Sequence, residues 1–234
     1  MKALREVKME VTEKNRINDM LEDARSQIAC VHQTIREIEV FLDEYWETET
    51  GEKESDCFPK KFEVGDRLTV PMPDRKYMAT AIETDDKWTL FLLDECLDDA
   101  MPMNENGGTE GGYEQSDLRR YLNRIGDNFP NWFQERLMPD KNGDYLYLLT
   151  MMEVFGYDKD FNGIGGQIEW MRDREHRKVK RKGKLQWYWL RDPVSAMEFA
   201  YVSIDSLVYC DCATDSLGIR PAFKIKNAEI EQRE

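Results

Sequence analysis

The chain has 234 residues and a formal net charge of −14. Because nucleic acids and anionic membranes bind clustered Lys and Arg side chains, this charge argues against both as partners. No apolar run is long enough to span a bilayer, and the N-terminus lacks a signal-peptide pattern, so we expect a cytoplasmic or virion-associated protein. The five cysteines form no C-x-x-C pair, which predicts reduced thiols.

Residues 1–47 are predicted to form a coiled-coil helix that drives oligomerisation. Apolar residues recur at alternating spacings of four and three, the pattern of a heptad seam. β-branched residues occupy both layers of the seam, and this mixture favours a homotrimer over a dimer. The alternative is a helix that packs its apolar stripe against its own globular domain. The seam consists of Ile17, Leu21, Ala24, Ile28, Val31, Ile35, Ile38, Leu42 and Tyr45.

A polar stretch then interrupts this pattern, and we interpret residues 48–60 as a linker. One α+β domain is expected over residues 61–227, followed by a tail over residues 228–234. Ser116 and Pro130 suit the starts of two short helices, the first ending at Asn123 and the second near Leu137. Apolar runs bounded by Pro, Gly and Asp predict strands at residues 67–70, 77–82, 88–93 and 145–149.

Further along the chain, residues 199–204 and 207–210 are predicted to be strands joined by a tight turn at Asp205-Ser206. Side chains alternate between the two faces of a strand. If Ala200 and Val202 face the core, Tyr201 and Ser203 therefore point outward.

Two aromatic and apolar blocks frame this segment: WYWLRDP at residues 187–193 and GIRPAFKI at residues 218–225. They resemble the W-W-L-R-S-P and G-V-R-P-A-F signature of a bacterial and phage domain of unknown function, and the resemblance covers roughly residues 62–227. It implies a C-type-lectin-like fold, related to formylglycine-generating enzymes and to the variable proteins of diversity-generating retroelements. The residues expected to support this fold are Trp187, Trp189, Arg191, Pro221 and Phe223.

The segment between Phe199 and Phe223 contains no Lys, Glu, Gln, Trp or Met. Codons ending in cytosine cannot encode these residue types, and the retroelement resemblance implies adenine-directed mutagenesis of AAC codons. Ordinary strand composition is the alternative, because it also disfavours Lys, Glu and Gln.

We therefore predict a non-enzymatic protein that needs no cofactor and binds a protein or glycan ligand through an exposed, variable face on a rigid scaffold. The face is predicted to comprise Val194, Ala196, Tyr201, Ser203, Asp205, Leu207, Tyr209, Asp211, Thr214, Asp215 and Leu217.

Residues 158–169 fit the twelve-position calcium loop D-x-D-x-N-G-x5-E. Asp158, Asp160, Asn162 and Glu169 are the predicted oxygen ligands. A Gly-rich turn without metal is the alternative, because the chain holds only one such loop and has Gly165 at the eighth position.

An enzymatic alternative uses Cys210 and Cys212, which would share one face of a strand and could bind copper, as in a formylglycine-generating oxidoreductase. A histidine-based triad has little support, because only His32 and His176 are present. The basic run from Arg172 to Lys184 is interpreted as a solvated loop without a nucleic-acid role, and the alternative is that it docks on an acidic surface of its own chain or of a neighbouring subunit.

Overall fold

The computed structural model describes residues 61–160 and 165–227. The chain divides into two units, Met1–Phe58 and Pro59–Glu234, and every described residue belongs to the second. The predicted coiled coil, linker and tail lie outside the described residues, and they stay predictions.

Strands dominate this domain, and its few helices are short, so the architecture is α+β as the sequence predicts. The strands are β1 (Arg67–Pro71), β2 (Lys76–Thr84), β3 (Trp88–Leu93), β4 (Ala100–Met101), β5 (Leu137–Met138), β6 (Lys180–Arg181), β7 (Lys184–Leu185), β8 (Tyr188–Pro193), β9 (Glu198–Val202), β10 (Val208–Cys212), β11 (Leu217–Gly218) and β12 (Ala222–Lys226). The helices are α1 (Asp117–Asp127), α2 (Asn131–Gln134), α3 (Met151–Phe155) and α4 (Arg174–Arg177), with 3-10 turns at Tyr113–Gln115 and Glu169–Arg172.

The strands form two five-stranded sheets and one separate hairpin. The first sheet has the order β1-β2-β3-β12-β5, the second has the order β10-β9-β8-β11-β4, and β6 pairs with β7. The chain passes from the second sheet to the first between Gly218 and Ala222. In this crossing Ile219 accepts a backbone hydrogen bond from Leu97, and Pro221 accepts one from Leu93.

Aromatic packing fills the core beside the first sheet. The rings of Phe91 on β3 and Phe223 on β12 stack with their centroids 5.5 Å apart. Phe62 meets Phe91 edge to face at 4.9 Å, and Phe133 on α2 lies 5.9 Å from Phe223. Such pairs add to the hydrophobic free energy of burial, so the GIRPAF block anchors this sheet.

Two helices begin at hydroxyl residues that cap them. The Ser116 hydroxyl accepts a hydrogen bond from the Arg119 backbone N–H at 3.0 Å, which caps α1 as predicted. The helix continues to Asp127, four residues beyond the predicted end at Asn123. Thr150 and Glu153 form a reciprocal capping box at the start of α3. No helix in the described part of the chain is long and apolar enough to cross a membrane.

Two predicted elements are wrong. Residues 145–149 do not form a strand, because the segment makes only one isolated bridge, between Tyr147 and Ala222. The second helix starts after Pro130 as predicted but ends at Gln134. Leu137 instead lies on β5, where it pairs with Ile225 of β12. In both cases the apolar side chains are buried by a neighbouring strand that local periodicity does not identify.

Candidate ligand-binding face

The β9–β10 hairpin is the centre of the candidate site. Its strands pair antiparallel, with Tyr209 opposite Tyr201. The loop between them spans residues 203–207, which is longer than the predicted two-residue turn. Ser206 adopts a positive φ of 67° within this loop, a conformation that is uncommon for residues other than glycine. Its hydroxyl donates to the Arg174 carbonyl at 2.7 Å, and its N–H donates to the Ser203 carbonyl, so the loop is held in place.

A row of aromatic rings crosses the second sheet beside this hairpin. Tyr201 lies opposite Trp189 on β8 and opposite Tyr209 on β10, so the three side chains share one face. The Tyr201 ring stacks on Trp187 at 5.6 Å and on Tyr209 at 6.0 Å, and it meets Trp189 edge to face at 6.4 Å. We call the surface formed by Trp187, Tyr201 and Tyr209, with the carboxylates of Asp205 and Asp211, the aromatic face.

Exposure rises along this row towards the edge strand β10. Trp189 is fully buried, and its indole N–H donates to the Met101 carbonyl at 3.0 Å. Tyr201 is 8% exposed, whereas Tyr209 is 48% exposed and Trp187 is 41% exposed. The buried ring of Tyr201 therefore supports the rings of Trp187 and Tyr209, which are exposed to solvent.

Three residues that were predicted to be exposed are buried, so their predicted exposure is wrong. Tyr201 shares the predicted outward face but is covered by its neighbours Trp187 and Tyr209. Ser203 is buried because its hydroxyl hydrogen-bonds within the hairpin loop, to Asp205 and to the Leu207 carbonyl. Leu217 is buried because β11 is an interior strand, between β8 and β4.

The other predicted face residues are accessible to different degrees. Val194 and Asp211 are half-buried, and the exposed residues are Ala196, Asp205, Leu207, Tyr209, Thr214 and Asp215. The loop around Ala196 is supported by Thr109, whose N–H donates to the Ala196 carbonyl at 3.2 Å and whose hydroxyl donates to Ser195 at 2.7 Å. The predicted face is thus a partly exposed surface with a fixed support.

Sequence reasoning missed three exposed apolar side chains near this face. Trp187 was assigned to the scaffold with Trp189, Arg191, Pro221 and Phe223, but it is the one of these five that is exposed. Met197 and Ile204 are 59% and 44% exposed in the turns that flank β9. Strand alternation could not find either residue, because a turn has no inward and outward periodicity.

Negative charge accompanies the aromatic rings. The Ser203 hydroxyl and the Leu207 N–H donate to the Asp205 carboxylate, and the hydroxyl bond in particular lowers the pKa of Asp205. Burial raises the pKa of Asp211, as does its hydrogen bond to Asp215. Burial likewise raises the pKa of the Tyr201 hydroxyl, with a further contribution from the charge of Asp211. A negative potential therefore surrounds the centre of the aromatic face.

The cysteines of the described domain differ in accessibility. Cys96 is fully buried, and burial raises the pKa of its thiol to about 12, whereas Cys210 and Cys212 are exposed on β10. At pH 8 only about 1 in 10⁴ Cys96 thiols would be ionised, even if reagent reached them.

We expect iodoacetamide at pH 8 to alkylate Cys210 and Cys212 in the folded protein and to leave Cys96 unmodified. Peptide mass spectrometry measures this, with guanidinium-unfolded protein as the control in which all three thiols react. Equal labelling of Cys96 in both samples would contradict its burial.

The W-Y-W-L-R-D-P block has structural roles beyond Trp189. The Arg191 guanidinium lies 3.3 Å from the Asp140 carboxylate and 3.6 Å from Glu153. The Asp192 carboxylate accepts a hydrogen bond from the Met151 N–H at 2.7 Å, at the start of α3. These contacts connect β8 to α3, as expected for Arg191.

The G-I-R-P-A-F block is fixed by close packing. A Cβ atom at Gly218 would lie 2.8 Å from the Trp187 carbonyl oxygen and 2.7 Å from the Cys96 sulfur, so only glycine fits here without movement. The buried Arg220 side chain donates to the carbonyls of Leu93 at 2.8 Å and His176 at 2.9 Å. Gly218 and Arg220 therefore both serve the packing of the block.

The calcium prediction falls partly outside the described residues, because residues 161–164 include Asn162. Asp158 accepts a hydrogen bond from the Asp160 N–H at 3.0 Å, as in a turn. The Glu169 carboxylate is largely exposed and pairs with Arg172 at 2.9 Å. Calcium binding stays a prediction.

Calcium titrated into the full chain should give a calorimetric signal that Glu169→Ala abolishes, because a bidentate glutamate supplies two of the oxygen ligands. Glu135→Ala, at an exposed glutamate on another segment, is the matched control. If millimolar calcium gives no heat and no thermal stabilisation, the loop is a turn that binds no metal.

A family described as a domain of unknown function, DUF6273, matches residues 87–227. The chain belongs to this family. The DUF6273 match includes both signature blocks and the aromatic face, and it ends at the predicted boundary, Asn227. It starts at residue 87 rather than near Phe62, where the resemblance was placed.

No curated protein and no solved structure matches the chain significantly. The DUF6273 assignment therefore brings no activity, ligand or partner with it.

Proposed function

We propose that the DUF6273 domain is a non-enzymatic ligand-binding module with a C-type-lectin-like fold and that the aromatic face is its binding surface. The observation that carries this proposal is the row in which exposed Trp187 and Tyr209 stack on buried Tyr201. Large aromatic rings held in fixed positions concentrate binding energy at interfaces and lose little side-chain entropy on binding.

The distribution of exposed apolar residues supports this location. Of the seven large apolar side chains that are exposed in the described residues, six lie between Leu185 and Tyr209. They are Leu185, Trp187, Met197, Ile204, Leu207 and Tyr209. Isolated exposed apolar residues are common on any protein surface, but Trp187 and Tyr209 both stack on Tyr201 and so form one contiguous apolar surface, which is typical of interaction sites.

The scaffold beneath the face supports variation of its surface residues. Ala200 and Val202 on β9 are fully buried, and Arg191 and Arg220 tie the neighbouring segments by ion pairs and hydrogen bonds. Substitutions at exposed positions such as Leu207 or Thr214 therefore leave the core contacts in place.

A fixed core beneath variable surface positions is what a protein diversified by a retroelement requires. A reverse-transcriptase gene and an imperfect repeat of the coding region for Asp192–Phe223 would have to lie nearby in the DNA.

The oxidoreductase alternative has less support. Cys210 and Cys212 are exposed on the edge strand β10, and the group of possible metal ligands found there comprises Asp211, Cys212 and Asp215 but not Cys210. Copper-dependent turnover of a cysteine-containing peptide by the full chain would nevertheless establish that activity and overturn a non-enzymatic role.

Self-association through residues 1–47 is part of the proposal, because several copies of one weak binding face gain avidity. Light scattering of the full chain should give a trimer. Replacing both Ile28 and Ile35 with Asp should give monomers, since each charge would enter the apolar seam. Replacing Glu37 and Asp43 with Lys, outside the seam, is the control. A wild-type monomer at micromolar concentration would contradict the assembly.

The experiment that tests ligand binding is a parallel screen of the full chain on a glycan array and against a displayed library of protein fragments. Every hit is then re-tested with Tyr209→Ala. We expect hits whose binding this substitution removes. If all hits bind the variant as well as the wild type, the aromatic face is not the binding surface.

A further inference from the structure

The charges around the aromatic face indicate which class of ligand it takes. We infer that the aromatic face binds a protein segment that presents Arg or Lys side chains, and this inference rests on the proposed function. The partner's cation would lie against the exposed ring of Tyr209 or Trp187 and pair with a neighbouring carboxylate.

The segment that contributes Tyr201, Asp205, Tyr209 and Asp211 to the face is acidic, whereas Trp187 lies outside it and follows the basic residues 180–184. Residues 194–217 contain four acidic residues, Glu198, Asp205, Asp211 and Asp215, and no Lys, Arg or His. The absence of basic residues in 24 positions is unlike the rest of the chain, which carries 33 Lys and Arg residues. A cationic partner is complementary to such a surface, whereas an anionic one would be repelled.

The carboxylates flank the exposed tyrosine on both sides. Asp205 lies in the hairpin loop, where its carboxylate is 3.5 Å from the Tyr209 hydroxyl. Asp211 is two residues beyond Tyr209 on β10, so it shares the face of that strand. Asp215 is close to Asp211, since their carboxylates lie within 4.8 Å of each other.

The carboxylates of these groups form no ion pair within the described domain, although the Arg174 guanidinium donates to the backbone carbonyl of Asp205 at 2.9 Å. Among the described residues, no Lys or Arg side chain forms an ion pair with Glu198, Asp205, Asp211 or Asp215. Other acidic residues have such partners: Asp144 pairs with Arg119 at 2.7 Å, and Glu95 pairs with Arg75 at 2.9 Å. The face thus offers carboxylates that are available to an external cation.

An aromatic ring beside a carboxylate favours a particular kind of cation, a guanidinium or an ammonium group. A guanidinium or ammonium group is attracted to the face of an aromatic ring, and its hydrogen bonds to a carboxylate are charge-assisted. This domain already contains that arrangement, because the Arg75 guanidinium lies 3.8 Å from the centre of the Tyr77 ring and pairs with Glu95 and Asp98. At the aromatic face only the cation is missing from the described residues.

A decapeptide with four arginines, and the same peptide with citrulline at those positions, test the inference by calorimetry at 150 mM salt. Citrulline keeps the shape of arginine and removes its charge. We expect the arginine peptide to bind the full chain and the citrulline peptide to bind about tenfold more weakly or not at all. Tyr209→Ala should weaken binding of the arginine peptide by about tenfold, because the ring contributes beyond charge.

A matched pair of triple variants separates the face from the general negative charge of the chain. One variant carries Asp205→Asn, Asp211→Asn and Asp215→Asn, and the other carries Asp86→Asn, Asp127→Asn and Glu135→Gln at exposed acidic residues elsewhere. Both lose the same charge. We expect the first to weaken arginine-peptide binding at least tenfold and the second to change it less than about twofold.

Three outcomes would overturn the inference: no binding of the arginine peptide, equal binding of the citrulline peptide, or equal weakening by both triple variants. The last would assign binding to net charge alone. These outcomes are distinct from failure of the proposed function. If a screened ligand still depends on Tyr209 but not on the three carboxylates, the face binds a ligand that is not cationic.

Discussion

Replacing Trp189 with Ala should lower the free energy of unfolding by about 3–5 kcal/mol, the range for truncating a fully buried tryptophan. The side chain is 0% exposed and packs beneath the ring of Tyr201. Its removal leaves a cavity and also deprives the Met101 carbonyl of the indole N–H that donates to it at 3.0 Å. Equilibrium unfolding in urea measures the loss directly.

Trp187→Ala is the matched control, because it removes the same side chain two residues earlier on the same block. Trp187 is 41% exposed and stacks on Tyr201 at one side only, so we expect a loss of about 1 kcal/mol. Similar losses in the two variants would show that the exposure gradient along the aromatic row is wrong.

Arg220→Met should be the second strongly destabilising substitution, with a loss of about 3 kcal/mol. The side chain is only 7% exposed, and it donates to the carbonyls of Leu93 and His176. Methionine keeps much of the volume but leaves both carbonyls without these donors. Since each buried carbonyl carries a desolvation cost, the two losses add to a large effect.

Arg67→Met provides the comparison for a surface arginine. Arg67 pairs with Asp94, but its side chain is 60% exposed, and such ion pairs contribute at most about 1 kcal/mol. Urea unfolding of both variants at pH 7 gives the two values. Equal values would mean that the hydrogen bonds of Arg220 to β3 and α4 do not stabilise the fold more than a surface ion pair does.

Local signals predicted the regular parts of this fold. The strand at residues 88–93 has the predicted bounds, and Ser116 caps α1 as its position before the helix suggested. Both depend on residues close together in the sequence: an apolar run in one case, and a hydroxyl three residues from its N–H donor in the other. Errors arose where distant segments decide the structure, as for Leu137, which pairs with a strand some ninety residues later.

Strand alternation predicted which side chains of β9 face the core, but it did not predict which of the outward side chains are exposed. Alternation placed Ala200 and Val202 inside, and both are fully buried. It also placed Tyr201 on the opposite side, which is correct, but alternation cannot show that Trp187 and Tyr209 cover that ring. Tyr201 is therefore a supporting residue whose truncation should affect stability, and Trp187 takes its place on the exposed surface.

The sequence and the structure were both needed to recognise the aromatic face as an acidic surface whose carboxylates form no ion pair among the described residues. The absence of Lys, Arg and His from residues 194–217 is visible in the sequence. The sequence does not show whether those carboxylates already have partners, because many ion pairs join segments that are far apart in the chain. Asp94, for example, pairs with Arg67 on another strand.

The most direct test of the aromatic face measures ligand affinity and melting temperature together for Tyr209→Ala, using a ligand obtained from the screen. We expect affinity to fall at least about tenfold while the melting temperature changes by a few degrees at most, because Tyr209 is 48% exposed. Tyr121→Ala, at a half-buried tyrosine on α1, is the control and should leave affinity unchanged. Unchanged affinity in Tyr209→Ala, or an equal loss in Tyr121→Ala, would contradict the assignment of the aromatic face as the binding surface.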